Sequence, residues 1–131
     1  MPIGDKTAAR IGYCLSGLAI LFMLFDGAIK LVPLGIVLET TAQLGYPATE
    51  TFARGLGLLG LTCTALYAFP RTSVLGAILM TGYLGGATAS HLRVDSPIFT
   101  HLLFGTYLGV IVWVGLFLRD DRLRTLIPLR R

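Results

Sequence analysis

LYAFPRTSVLGAILMTGYLGGATASHLR, Leu66–Arg93, holds two apolar stretches separated by one break at Pro70. Pro70 ends the first stretch because proline has no backbone N–H and clashes with the preceding turn. Thr72 or Ser73 can cap a helix that starts after it. The apolar run before the break covers about 52–69, and the run after it about 73–91. Each is close to the ~20 residues that cross a bilayer as a helix. Hydrocarbon offers no partner to a free backbone N–H or C=O, so helices are the form expected at this length. The short FPRTS link makes the pair a tight antiparallel hairpin.

Two more runs flank the hairpin, at about 11–32 and about 101–118. The reading is therefore all-α: one integral membrane four-helix bundle in 131 residues. The last connection, LRVDSPIFT, is short and broken by Pro97. The first, Pro33 to Thr51, is longer. Within it IVLETTAQLGYP reads as a short amphipathic helix. Val37, Leu38, Thr41 and Leu44 fall near one face, and Glu39, Thr40 and Gln43 on the other. Gly45 and Pro47 end it, and it is expected on the membrane surface.

Composition agrees. Hydrophobic residues make up 54% of the chain and charged residues 14%, against about 25% charged in a soluble domain. Mean hydropathy is +0.75. The net charge of +4 does not point to nucleic acid, because Arg119, Arg122, Arg124, Arg130 and Arg131 cluster after the last apolar run. A basic tail beside a span is a topology signal. With Lys6, Arg10 and Arg71 it faces one side, while Lys30, Arg54 and Arg93 face the other. The positive-inside rule then puts both termini in the cytoplasm of a multi-pass cell-membrane protein. No secretory signal is read: the first run is too long for one, and no small-residue cleavage site follows.

Gly82 with Gly86, Gly105 with Gly109, and the Gly55, Gly57 and Gly60 group read mainly as close helix packing, since small residues let helices approach in lipid. A glycine-lined ligand cavity is the alternative. GLGLLG, Gly55–Gly60, has the spacing of a dinucleotide loop but lies inside an apolar run with no strand before it. Tyr67, Tyr83, Tyr107 and Trp113 are ordinary for a membrane bundle. Cys14 and Cys63 form no C-x-x-C and read as packing residues.

The polar residues gather at one depth. Spans alternate in direction, so Asp26 and Lys30, Arg54, His91 and His101 share the outer end. Asp26 lies about 9 Å inside Val32 at the helical rise of ~1.5 Å per residue. Asp26 and Lys30 are four apart, on one helix face, with acid before base. Ionisable groups inside a membrane face the bundle interior and pair there. The expectation is an inward pair of Asp26 with Lys30 or Arg54, joined by His91 and His101. Against this, Lys30 and Arg54 can snorkel to the headgroups, with Asp26 merely neutralising one of them. The inner end is expected to lack such a set. The histidines and Asp26 have no metal-ligand spacing, so no metal is assigned.

Together FDGAIKLVP, QLGYP, the hairpin segment quoted above and GLFLRDDRLRTLIP resemble the DoxX-like family of small four-span membrane proteins. The resemblance runs from about 12 to 128. It implies a membrane component of a redox system, with quinone or a similar lipophile as ligand and a redox protein as partner. The family resembles quinone-reducing disulfide-forming enzymes in fold, but this chain lacks their paired cysteines. The resemblance transfers no catalytic residue to these positions. The other class is a non-catalytic lipid-binding or scaffold protein that anchors a partner enzyme. A transporter is a weaker third reading.

Overall fold

The computed structural model describes residues 5–32, 35–47, 49–95 and 103–130, and their regular structure is helical throughout. The elements are α1 (Asp5–Leu31), α2 (Gly35–Gln43), α3 (Glu50–Ala68), α4 (Ser73–Arg93), α5 (Phe104–Arg119) and α6 (Asp121–Arg124). α1 packs against α3 and α5, and α4 packs against the same two. The four long helices thus close an antiparallel ring in which α1 lies diagonally opposite α4. Fully buried Ala19, Met23, Cys63, Ala77, Met80 and Val112 fill its centre.

Local chemistry sets the helix ends. The Thr49 side chain accepts from the Phe52 N–H at 3.2 Å, and Glu50 sits in the first turn, where the helix dipole favours negative charge. α3 stops two residues before Pro70. The capping expected of Thr72 and Ser73 takes another form. Thr72 Oγ1 donates to the Leu66 carbonyl at 2.6 Å, and Ser73 Oγ donates to the carbonyls of Tyr67 and Phe69, both at 2.8 Å. Both hydroxyls close the end of α3 rather than the start of α4. Carbonyls at a helix end have no partner within the helix, and the tight link brings them within reach.

Glycine permits the closest approaches. A Cβ on Gly76 would lie 2.5 Å from the Tyr67 Cα and 2.7 Å from the Leu66 carbonyl carbon, so α4 runs backbone to backbone against α3. On the opposite side of the ring, a Cβ on Gly12 would meet the Gly115 carbonyl at 2.7 Å. The expected packing pairs hold only in part. Gly105 presses on the Leu84 carbonyl, but Gly55, Gly82, Gly86 and Gly109 have open space where a side chain would stand.

By length and apolarity alone, one described stretch can cross a membrane, Lys6–Leu31 in α1; α5 is apolar but shorter. The glycines and hydroxyl residues that let α3 and α4 pack lower their hydropathy. All four long helices nevertheless expose large apolar side chains, among them Leu18, Leu21 and Phe25, Leu58, Leu75 and Ile78, and Val110. An outward apolar belt of this kind marks a surface that is not meant for water.

Candidate functional site

Near the C-terminal end of α1 the ring opens into a cavity of about 570 Å³ lined by side chains from α1 to α5. Its walls are mostly apolar: Phe22, Met23, Ile29, Leu56, Leu59 and Phe104 among them. Gly82 and Gly86, one turn apart on α4, make an open strip of the wall. The glycine-lined cavity, the lesser of the two sequence readings, therefore applies to this pair.

A triad forms one polar part of the wall. Lys30 Nζ donates to Asp26 Oδ2 at 2.8 Å and to the Tyr83 hydroxyl at 2.6 Å. The Asp26 and Lys30 side chains are 24% and 20% exposed. They are largely desolvated, so removing one partner would strand the other's charge. Lys30 reaches across the diagonal of the ring from α1 to α4. Tyr83 was missed by the sequence reading. An aromatic in mid-span carries no signal of its own until folding sets it opposite the α1 pair.

His91 and Ser90 line the same cavity from α4. His101 lies outside the described residues. Arg54 does not belong to the site. It is exposed, pairs with Glu50 at 3.5 Å and donates to the Leu31 carbonyl at 3.2 Å. α3 turns Gly57, Gly60 and Leu61 to α1, and Ala53, the residue before Arg54, is fully buried. One residue along a helix is about 100° of rotation, which turns Arg54 outward. The pair with Asp26 therefore falls to Lys30.

α2 roofs the cavity. Val37 and Thr41 are buried beneath it, and Leu44 joins the lining. The roof is tied down at its C-terminal side. The Tyr46 hydroxyl lies 2.6 Å from Ser90 Oγ, and its ring stacks on Phe52 at 5.3 Å. Arg93 lies over that ring and donates to the Leu44 carbonyl.

The opposite end of the bundle is not bare, contrary to expectation. The Tyr67 hydroxyl donates to the Val112 carbonyl at 2.7 Å and lies 2.9 Å from Ser16 Oγ. Arg119 Nε donates to the same serine at 2.9 Å, and its guanidinium stands 5.1 Å from the Tyr67 ring centre. This second network joins α1, α3 and α5 and is separated from the triad by Met23 and Met80. Tyr67→Phe should cost about 0.5–1.5 kcal/mol, because it removes the buried hydroxyl that bonds both Val112 and Ser16. Thermal unfolding in mild detergent would register this as a lower midpoint, with the cavity end unaffected.

A family model described as the DoxX-like family matches residues 14–115. No curated protein and no solved structure matches the chain.

Proposed function

The chain belongs to the DoxX-like family, and from that premise we propose that it is a multi-pass membrane protein whose roofed cavity binds a quinone or a lipophile of similar shape, as a component of a membrane redox system. The observation that carries the reading is one apolar cavity of about 570 Å³ ending on the Asp26–Lys30–Tyr83 triad. Cavities of roughly 300–1,000 Å³ with few, convergent polar groups suit small ligands. The cavity sits where the basic-residue asymmetry would put the outer side, with both termini cytoplasmic.

In this reading the apolar wall takes the ring and the start of a tail. Lys30 supplies the contact to a ligand oxygen. An ammonium has three N–H donors, and Asp26 and Tyr83 engage two of them. Asp26 holds the lysine in place. Tyr83 accepts from Lys30, so its own proton can go to a ligand oxygen. His91, on the same wall, is a group that can exchange protons with the site.

The test is mass spectrometry of small molecules that co-purify with the full chain in mild detergent. Wild type should carry a lipophile that Asp26→Asn loses and Tyr83→Phe holds less tightly, both variants keeping their helicity. Equal retention by all three proteins would remove the triad from the binding site. An empty wild type would favour the second reading, a scaffold that anchors a partner enzyme. That reading draws on exposed Leu126 and Leu129 beside the tail arginines, and removal of the residues after Thr125 should then release the partner.

A further inference from the structure

At the other end of the bundle, the α3–α4 turn and the α5–α6 corner enclose a second pocket of about 420 Å³. Arg71 from the turn and Arg122 from α6 both line it, together with Asp120. Among the described residues neither arginine side chain has an ion pair or a hydrogen bond to another group. Asp120 has a structural task, since its Oδ1 accepts from the Arg122 backbone N–H at 3.0 Å and caps α6. Two arginines and one aspartate leave the pocket with one net positive charge. Its remaining walls are apolar, and Val74 and Leu126 in them are 38% and 57% exposed.

The position matters as much as the charge. Val74 is the second residue of α4, and Ile78, 54% exposed, follows one turn further along the same face. An apolar strip therefore runs from the pocket toward the middle of the bundle. It begins where the chain's basic residues gather, at the level of the headgroups for a membrane-embedded bundle.

We propose that this pocket holds the phosphodiester head of an anionic phospholipid, with one acyl chain laid along Val74 and Ile78. A phosphodiester carries a single negative charge, which balances the pocket's net charge when the headgroup adds no cation of its own, as choline does. Two guanidinium forks offer the planar donor pairs that phosphate oxygens accept. The apolar strip separates this ligand from a free phosphate, which has no use for it.

The experiment is native mass spectrometry of the full chain in mild detergent, offered phosphatidylglycerol, or phosphatidylcholine with the same acyl chains. Phosphatidylglycerol should be retained about fivefold better, the preference expected for one net interfacial charge. Arg71→Gln with Arg122→Gln should bring it down to the phosphatidylcholine level. Arg10→Gln removes an exposed arginine at the same end of the bundle, outside the pocket, and should keep the preference. Both arginines of the pair are exposed, so the double variant should unfold at the wild-type midpoint without lipid. Equal retention of the two lipids would overturn the proposal, and so would an Arg10→Gln loss as large as that of the double variant. Displacement of the lipid by inorganic phosphate at matching concentration would assign the pocket to a free anion instead.

Discussion

Gly76→Val should leave almost no folded protein in detergent extracts. The new Cβ would drive into the backbone of Leu66 and Tyr67, 2.5 Å from the Tyr67 Cα. Backbone cannot rotate aside as a side chain can. Relief needs α3 and α4 to separate, and the short link after Phe69 gives the hairpin little slack. Separation would also pull Ser73 off the Tyr67 and Phe69 carbonyls and Arg119 off the Tyr67 ring. Overpacking a core costs about 1–3 kcal/mol where side chains can yield. Here they cannot, so about 3 kcal/mol or more is expected, a large part of a typical stability of ~5–15 kcal/mol. Gly85→Val, on the same helix with nothing within 4 Å of its Cβ position, carries the same propensity change without the clash. The two variants are to be compared by monodisperse yield and unfolding midpoint. Equal stability would mean that α3 and α4 do not approach as closely as Gly76 indicates.

What the sequence made legible was local. The break at Pro70 and the i, i+4 spacing of Asp26 and Lys30 follow from single-helix geometry, and both are seen. The DoxX-like resemblance likewise rested on contiguous segments and agrees with the family match. What escaped was set by helix rotation and by contacts across the ring. Arg54 has the right depth for Asp26 but the wrong rotation, and depth alone is what alternating spans supply. Tyr83 and Lys30 are 53 residues apart, and Ser16 and Arg119 are 103 apart. No spacing rule connects such pairs. Arg119 was counted as one of a basic tail, yet it is half-buried and turned back onto Tyr67. Small residues were ambiguous for the same reason. Gly76 and Gly82 are six residues apart on one helix, and only the ring decides that the first meets a backbone and the second a cavity.

That ambiguity yields the other large effect. Gly86→Leu should abolish retention of the cavity's ligand while leaving the bundle folded. Gly86 lines the cavity, and a Cβ there meets nothing within 4 Å. Leucine is also the better helix former, ranking just below alanine, whereas glycine stands about 0.8–1 kcal/mol below alanine. Its four carbons would take space from the ligand's apolar part. Displacing two or three methylene equivalents at ~0.8 kcal/mol each removes about 2 kcal/mol, roughly a thirtyfold weaker complex. Gly85→Leu makes the same chemical change one residue away, at a position that is exposed and does not line the cavity, and should retain the ligand fully. The pair separates loss of space from loss of stability, which Asp26→Asn cannot do alone because it also leaves Lys30 unpaired. If Gly86→Leu kept the co-purifying lipophile while Asp26→Asn lost it, the polar triad would act on a ligand bound outside the cavity. If both glycine variants lost it equally, the ligand would lie against the lipid-facing surface of α4 and the enclosed site would be wrong. Loss in Gly86→Leu alone would fix the ligand between the α4 glycine strip and the Lys30 ammonium.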